Sequence, residues 1–337
     1  MAATIKDIAR VTGLGLATIS SYLNGGNVRE KNRIKIEAAI EELHFEVNEL
    51  ARGLRTNLTR TIGVVIPELT MLFCAEIITA MEDALRSHGY ATIVCDCRTD
   101  RDREREAVEF LMHKRVDGLI NMPVDRTGEH LKRFLETGKP LVLIDRKIEG
   151  LSCGSVLVDN QDAAYQAVRH MLDLGHRRIG LIVGPQHIHA ARERKAGYEK
   201  ALREAGLPVS EETIFYGKDD MNSGVEGICR LVRDNPDLTG VFAANHAMTM
   251  GAVIGLNEMG ISMGKEISLV GFDNRQFARA CNPRLTIVAQ PTDRIAADAA
   301  GMMLEALSGK DGQPRTAERL RAEILPGQSV RDLRGSL

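Results

Sequence analysis

The sequence predicts an N-terminal all-α helix-turn-helix module followed by an α/β core of two doubly wound parallel-sheet subdomains. From residue 61 onward, short, fully apolar runs alternate with amphipathic helical patterns, which is typical of parallel sheets covered by helices on both faces. A break in this alternation near residues 145–160 indicates two sheets rather than one. Ahead of residue 60, short segments with helical spacing surround a glycine-containing turn, which is the pattern of a helix-turn-helix.

The helix-turn-helix pattern rests on three amphipathic segments around Gly13. We expect their apolar residues to form a small core: Ile5, Ile8 and Ala9 in the first, Ile19, Tyr22 and Leu23 in the second, and Ile34, Ile36, Ala39, Ile40 and Leu43 in the third. The second helix of such a module can lie in the DNA major groove with its first residues on base edges. Helical hairpins also occur in enzymes, so the pattern alone leaves DNA binding and an enzymatic setting open.

Predicted strands and helices alternate along the core from its first strand to its last. Strands are predicted at 61–66, 91–96, 118–122 and 141–145, with helices near 75–88, 103–114 and 129–137. After the break, helices are predicted near 162–174, 192–205 and 248–259, with strands at 179–184, 240–244 and 268–272. Ligands bind outside the carboxyl ends of such strands. A cleft between two facing sheets is therefore the expected small-molecule site.

Charge and cysteine content place the chain among ordinary globular proteins. Its net charge is −2, and the first 60 residues hold nine Lys or Arg against seven Asp or Glu, so a nucleic-acid interpretation must rest on motif. The six cysteines follow no regular framework, which fits a reducing compartment. No apolar run approaches transmembrane length and no signal-peptide order begins the chain. We expect a cytoplasmic protein without a membrane partner.

Metal, cofactor and catalytic chemistry find little support in the motifs. Cys95 and Cys97 form a C-x-C at the end of an apolar run, and His187 and His189 form H-x-H, but neither pair has further ligands at matched spacing. No nucleophile–base motif, G-x-G-x-x-G strand turn or phosphate loop is present. We therefore expect no metal, no cofactor and no enzyme activity.

Several longer stretches resemble the LacI/GalR family of transcriptional regulators. TIKDIARVTGLGLATISSYLNGG, VREKNRIKIEAAIEELHFEVNELARGLRT and TRTIGVVIPEL stand in the order and spacing of the start of that family. Further matches are LVLIDR (141–146), VDN (158–160), LGHRRIGLIVG (174–184), RKAGY (194–198), ISLVGFDN (267–274) and LTIVAQP (285–291). The resemblance covers essentially the whole chain. It implies a periplasmic-binding-protein-like core and a homodimer that binds a palindromic operator in double-stranded DNA, as a repressor switched by a small-molecule effector.

The resemblance also implies domain boundaries. The helix-turn-helix headpiece would span 1–46 and a hinge 47–60. The N-terminal effector-binding subdomain would comprise 61–160 and 291–324, and the C-terminal subdomain 161–290 and 325–337. The C-terminus has no sustained apolar heptad repeat, which favours a dimer over a tetramer.

In the headpiece, motif position implies six DNA-binding residues: Leu16, Ala17, Thr18, Ser20, Ser21 and Asn24. Leu16 and Ala17 suit apolar contact with thymine methyl groups, whereas Thr18, Ser20 and Asn24 suit phosphate contacts. Ser21 stands where the family often has arginine, so a bidentate guanine contact is lost. Gly15 replaces the Ser or Thr that often caps this helix, and the lost cap is typically worth about 1 kcal/mol. The alternative for Leu16 is a place in the headpiece core.

In the hinge, Ala51 and Leu54 match the family's minor-groove helix, where a leucine from each subunit wedges into the central base step. Such a wedge unstacks the step and kinks the duplex. Arg52 and Arg55 would contact the flanking phosphates. A helix this short is expected to order only on DNA, and the alternative is a flexible linker with solvated arginines.

In the cleft, eight residues fall at positions that often contact effectors: Phe73, Arg146, Asp159, Arg194, Asn245, His246, Asp273 and Gln290. A strand-end Asp can instead cap the next helix. The stretch MLFC (71–74) and His246, where the family commonly has Asp, depart from the pattern, and the chain has no tryptophan. We therefore expect an effector other than a simple hexose, such as a modified or charged sugar. The alternatives are a decayed or protein-partnered pocket, and a solute-binding protein for transport.

Overall fold

The computed structural model describes residues 3–23, 26–45, 58–309 and 319–335, and the chain forms two compact units, Met1–Arg60 and Thr61–Leu337. The expected DNA-binding residues Asn24, Ala51, Arg52, Leu54 and Arg55 lie outside the described residues. None of the helices formed by the described residues combines the length and apolar character needed to cross a bilayer.

The first unit contains three short helices, α1 (Ile5–Thr12), α2 (Leu16–Leu23) and α3 (Glu30–Glu42). Helix α1 begins with a capping box formed by Thr4 and Asp7. In it, the Thr4 backbone N–H donates to the Asp7 carboxylate at 3.0 Å. Helix α1 ends at Gly13, whose φ of 68° is the left-handed conformation that glycine adopts without strain. Gly13 therefore sets the tight turn between α1 and α2.

The headpiece core is centred on four fully buried residues, Ile8, Ile19, Ile36 and Ala39. The expected partners Ile5, Ala9, Tyr22, Leu23, Ile40 and Leu43 pack around them, together with Leu14 and Phe45. The prediction for Ile34 was wrong, since its side chain is 57% exposed. Residues 36, 39, 40 and 43 share one helix face, and Ile34, two positions before Ile36, lies on nearly the opposite side.

The second unit begins with a five-stranded sheet and its helices. In chain order the elements are β1 (Thr61–Ile66), α4 (Leu72–Ser87), β2 (Ala91–Asp96), α5 (Arg101–His113), β3 (Gly118–Asn121), α6 (Glu129–Leu135), β4 (Leu141–Ile144) and β5 (Gly154–Val156). The strand order is β2-β1-β3-β4-β5, and every pairing is parallel. Buried apolar strands of this kind require helices on both faces of the sheet.

A six-stranded sheet follows. Its elements are α7 (Asn160–Asp173), β6 (Ile179–Val183), α8 (His189–Glu204), β7 (Ile214–Tyr216), α9 (Met221–Asp234), β8 (Gly240–Ala243), α10 (His246–Glu258), β9 (Ser268–Phe272), α11 (Arg275–Ala280) and β10 (Thr286–Ala289). The chain then forms α12 (Thr292–Leu307) and β11 (Glu323–Leu325). The strand order is β11-β10-β9-β8-β6-β7, parallel except for the β10–β11 pair. The core is thus periplasmic-binding-protein-like, with two doubly wound sheets.

The chain crosses between the two sheets more than once. Helix α12 packs against α4 and against β3, β4 and β5 of the first sheet, although it follows the second sheet in sequence. A bridge between Val158 and Leu320 brings two of the crossing segments side by side. Glu323 and Ile324 pair with β10 and therefore belong to the second sheet, whereas the expected boundary placed them in the first subdomain.

Candidate DNA-binding and effector sites

Helix α2 presents its first turn to solvent. The Gly15 carbonyl accepts hydrogen bonds from the N–H groups of Thr18 and Ile19, at 3.0 and 3.2 Å, so the helix begins directly after this glycine without a side-chain cap. Leu16 is 48% exposed, and Ala17 is exposed beside it. Ile19, one turn along, is fully buried. Leu16 is therefore not a residue of the headpiece core, and the apolar first turn is available for contact.

The polar residues of α2 lie at the edge of that exposed turn. Thr18, Ser20 and Ser21 are half-buried. A Cβ added at Gly26 would collide with the Ser21 hydroxyl, so a glycine follows where the chain passes close to this serine. The Tyr22 hydroxyl donates to the Glu37 carboxylate at 3.0 Å, which ties α2 to α3. Helix α2 is thus anchored through its buried side, and its opposite side is exposed to solvent.

Charged residues gather where the carboxyl ends of the two sheets approach each other, and we call this region the cleft. Asp145 and Arg146 follow β4 of the first sheet, and Asp273 follows β9 of the second. Arg194 projects from α8. The charges of Asp273 and Asp145 both act on the Arg194 guanidinium, which shows that residues from the two subdomains share one electrostatic environment.

Arg194 is the buried centre of the cleft. Its Nε donates to Asn160 Oδ1 at 2.8 Å, and its Nη1 donates to the Ala244 carbonyl at 2.7 Å. The guanidinium also lies 3.8 Å from the centre of the Phe272 ring, within the range of a cation–π contact. Burial lowers the pKa of Arg194, and the nearby carboxylates oppose this shift. An arginine keeps its charge at any physiological pH, so the cleft holds a fixed positive charge.

Asp273 and Gln290 form a pair beside this arginine. The Asp273 carboxylate accepts from the Gln290 backbone N–H at 3.1 Å and from its Nε2 at 2.7 Å. Burial raises the pKa of Asp273 to about 6, against the opposing attraction of Arg194. The Oε1 atom of Gln290 is buried and accepts no hydrogen bond from the described residues. A buried acceptor left in this state is suited to a ligand donor.

Asn245 and His246 begin helix α10 at the same rim. Asn245 caps the helix by accepting from the Met248 N–H at 2.7 Å. The His246 Nε2 lies 3.4 Å from Asn274 Nδ2, an amide nitrogen that can only donate, so the ring proton belongs on Nδ1. Burial lowers the pKa of His246, which keeps the ring neutral near neutral pH. Nδ1 is buried without a hydrogen-bond partner among the described residues and is a second unpaired group.

Two carboxylates of the cleft were missed by the sequence analysis, Asp219 and Asp145. Asp219 follows the three-residue strand β7, which is too short for its apolar pattern to stand out, and its Oδ1 accepts from Asn245 Nδ2 at 2.6 Å. Asp145 stands next to the predicted Arg146 at the end of LVLID. Both adopt a positive φ, 65° and 67°. For Asp145 the available signal was a polar residue directly after an apolar strand, whereas Asp219 stands three residues after Tyr216, the last residue of β7.

Three expected effector residues make other contacts: two are hydrogen-bonded to backbone groups, and one packs against the core. The Asp159 side chain accepts from the Asp162 N–H at 2.9 Å and caps α7, as in the alternative considered for strand-end aspartates. Arg146 donates through Nη1 to the Pro123 carbonyl at 2.8 Å. Phe73 is half-buried in the first turn of α4 and packs against the core. Arg194, Asn245, Asp273 and Gln290 lie together with His246 in the cleft, and Arg146 acts on Asp219 through its charge.

Among the described residues, the fold does not complete a metal site around the Cys95–Cys97 pair or the His187–His189 pair. Cys97 is buried and Cys95 half-buried, and burial raises the pKa of both thiols. Across the ranges that the structure describes, no group of three or more His, Cys, Asp or Glu side chains could hold a metal ion.

Comparisons with known proteins agree with this architecture. Residues 4–48 match the family described as bacterial regulatory proteins, lacI family, and residues 59–322 match periplasmic binding proteins and sugar binding domain of LacI family. The HTH-type transcriptional repressor PurR of Vibrio atlanticus is 32% identical over 334 residues, covering 98% of this chain and 99% of that protein. PurR of Yersinia pestis is 33% identical, covering 98% and 97%.

Solved structures give the same result. A complex of the transcriptional regulator CelR with cellobiose is 28% identical, with a TM-score of 0.73 and coverage of 97% and 99%. The lac repressor dimer bound to operator and the anti-inducer ONPF has a TM-score of 0.87 over 98% and 100% of the chains. Its identity is 24%, so this likeness concerns the fold. With both family matches in chain order, the chain belongs to the LacI family of bacterial regulatory proteins and is a DNA-binding transcriptional regulator.

Proposed function

We propose that the protein is a repressor that acts in the cytoplasm, as a homodimer on a palindromic operator, and that a small molecule in the cleft switches it. The observation that carries the proposal is the first turn of α2. Leu16 and Ala17 are exposed there, while Ile19 anchors the helix from below. An apolar, solvent-facing first turn on a recognition helix has no role in the headpiece fold itself and suits contact with base edges.

The side chains of α2 define what the helix can recognise. Leu16 and Ala17 offer no hydrogen bond through their side chains, so they discriminate by contact with thymine methyl groups. Thr18 and Ser20 position the helix on phosphates, which carry no sequence information. Ser21 cannot make the bidentate guanine contact of an arginine. We therefore propose a half-site read mainly through thymine methyl groups, with less discrimination at the base pair that faces Ser21.

The cleft supports a small-molecule switch. Arg194 supplies a buried positive charge, and His246 Nδ1 and Gln290 Oε1 are buried polar atoms without partners among the described residues. CelR, which is 28% identical to this chain, was solved as a complex with cellobiose, so a similar regulator binds a small molecule. A ligand that contacts both sheets prefers one arrangement of the subdomains, and this preference biases the DNA-binding state of the dimer.

The test is selection of bound sites from a random duplex pool by the purified full-length chain, followed by sequencing. We expect a palindrome with a flexible central step, because two headpieces related by a twofold axis read inverted half-sites. The Leu16→Ala variant should lose preference at its base position while keeping residual affinity for phosphates. A pool without enrichment, or an enriched site with no inverted symmetry, would contradict the proposal.

A further inference from the structure

One edge of the second sheet is open. Strand β7 ends the strand order of this sheet, and in the part of the chain that the structure describes only β6 pairs with it. The pairing is parallel, and just after β7 the Gly217 N–H donates to the Val183 carbonyl at 2.8 Å. Successive residues of a strand direct their backbone groups to opposite sides, so Tyr216 turns its N–H and C=O away from β6. These two groups can pair with an added strand.

A groove lies beside this edge, between β7 and the second half of α9. Its volume is about 570 Å³. Ile214, Phe215 and Leu231 line it and are buried, so its floor is apolar. Tyr216 also lines the groove and is 43% exposed, and its hydroxyl donates to the Glu211 carboxylate at 2.7 Å. The open edge is therefore accompanied by apolar and aromatic surface that a bound side chain can cover.

The rim of the groove is acidic. Glu211, Glu212 and Asp234 are exposed there. Arg230 Nε lies 3.5 Å from the Asp234 carboxylate, and Lys195 Nζ lies 3.4 Å from that of Glu211. Within the described ranges, no salt bridge reaches Glu212. Three carboxylates thus face two cations, and the excess negative charge at Glu212 attracts a cationic side chain.

These features together select one class of occupant. An open strand edge binds an extended peptide through backbone hydrogen bonds, and side-chain pockets beside it give the specificity. Carboxylates at the rim favour Lys or Arg on that peptide and oppose nucleic acid. We propose that the groove docks an extended segment of a partner protein that combines apolar and basic residues and adds to the sheet as a strand beside β7. The groove shares no lining residue with the cleft, so the inference does not depend on the effector.

The edge carries little of the protection that natural edge strands usually have. Such strands are guarded by Lys or Pro, by a bulge or by a covering element. Strand β7 consists of Ile214, Phe215 and Tyr216, in continuous register with β6. Its short length is its protection, because three residues allow only a short ladder. The affinity must therefore come from the groove and its charges as well as from the backbone.

The test measures binding of a labelled peptide to the full-length protein by fluorescence anisotropy. The probe is a hexapeptide of alternating lysine and valine, and a hexapeptide of alternating glutamate and valine is its matched control. The buffer contains about 0.15 M salt, which screens distant surface charges. We expect saturable binding of the lysine peptide, at least roughly tenfold tighter than that of the glutamate peptide.

Two variants of the protein locate the site. Glu212→Lys should weaken peptide binding roughly threefold to tenfold, because an attraction becomes a repulsion. Glu136→Lys makes the same change of charge at an exposed position directly after α6, in the first sheet's half of the core, and should bind as wild type does. Tyr216→Pro removes the backbone donor at the edge, where proline is tolerated, and should weaken binding roughly tenfold. Its urea unfolding curve checks that the fold is retained.

A change in the peptide tests strand addition without altering the protein. Two versions of the lysine peptide carry N-methyl groups on alternate residues, one on the odd and one on the even positions. Only one side of an added strand pairs with β7, so one version should lose binding and the other should keep it. Equal binding of the two versions would overturn strand addition.

Four other results would overturn the proposal. They are the absence of saturable binding up to about 1 mM peptide, wild-type affinity in Glu212→Lys, displacement of the peptide by an equal concentration of spermidine, and self-association beyond the dimer that Tyr216→Pro removes. Spermidine has cationic groups without a peptide backbone, so its success would show a site for cations alone. Self-association through this edge would make a second copy of the chain the occupant.

Discussion

Neutralising Asp273 should stabilise the protein at neutral pH. Burial raises the pKa of this carboxyl from 3.8 to about 6. The native state therefore holds the proton more tightly than the unfolded chain, and stability falls as pH rises through this window. A rise in the pKa of Asp273 from 3.8 to about 6 corresponds to about 3 kcal/mol of stability at most, lost in full above pH ~6. This free energy already includes the attraction between Asp273 and Arg194, which opposes the rise in the pKa.

Asp273→Asn mimics the protonated carboxyl in shape and charge. Its amide can accept from the Gln290 backbone N–H, and its NH2 can donate to the Gln290 Oε1 atom if that side chain turns over. We expect the variant to exceed wild type by up to about 3 kcal/mol in the free energy of unfolding above pH ~6, and the gain to vanish near pH ~4. The variant should also lose its response to the effector, because the substitution that raises stability removes a carboxylate oxygen that can accept a hydrogen bond from the ligand.

The measurement is urea unfolding of both full-length proteins at a series of pH values. Asp332→Asn is the control, because hydrogen bonds from Arg334 lower the pKa of Asp332 to about 2. Ionised Asp332 favours the native state, so its neutralisation should give no gain at any pH. Equal stability of wild type and Asp273→Asn at neutral pH, or a gain that persists unchanged in acid, would refute desolvation as the origin of the effect.

Three further predictions concern the headpiece and the core packing. Leu16→Ala should weaken operator binding in fluorescence anisotropy without changing headpiece stability, whereas Ile19→Ala, at a fully buried site, should cost roughly 2–5 kcal/mol in thermal unfolding. Gly251→Ala should lower the melting temperature, because its Cβ would collide with the Met221 carbonyl where α9 and α10 cross; an unchanged transition would mean that the helices separate freely. Glu104→Gln should cost about 1–3 kcal/mol in urea unfolding, because the new amide nitrogen would face Asn121 Nδ2, which donates to Glu104 Oε1 at 2.7 Å; a neutral result would show that the Asn121 amide turns over.

The apolar strands were the most predictable part of the fold. The predicted bounds of β1, β2 and β9 agree with the structure residue for residue, and the other predicted strands differ by one residue at their ends. Fully buried parallel strands are continuous apolar runs with sharp polar edges, so single-sequence patterns locate them well. Helix α6 begins at Glu129 as predicted, and the other predicted core helices begin two or three residues earlier than expected, because their first turns are amphipathic only weakly.

The missed elements explain the missed site residues. Strand β7 has three residues, Ile214–Tyr216, and helix α9 begins with the glycine- and serine-containing stretch MNSGVEG, so neither stands out from a loop. Without β7 there was no strand end at Asp219, although the rule that ligands gather at strand ends was already in use. The role of Asp159 was open for a different reason, because a strand-end aspartate can either contact a ligand or cap the next helix. Only the structure shows that its side chain caps α7.

The cleft combines three local exceptions to backbone preference. Asp145, Asp219 and Asp273 follow different strands, yet each has a φ between 58° and 67°. A left-handed residue turns the chain sharply at the end of its strand, and Asp and Asn tolerate it better than other residues with a Cβ. Such strain persists where the surrounding structure fixes it, and it concentrates at functional sites.

This backbone conformation decides which substitutions are informative. Alanine at these positions would remove the carboxylate and also raise the cost of the left-handed turn, so a lost response could come from either change. Asparagine keeps both the shape and the tolerance of positive φ, and it changes only the charge and one acceptor. A difference between aspartate and asparagine at Asp219 or Asp273 therefore reports on ligand chemistry and desolvation, the two quantities on which the assignment of the cleft depends.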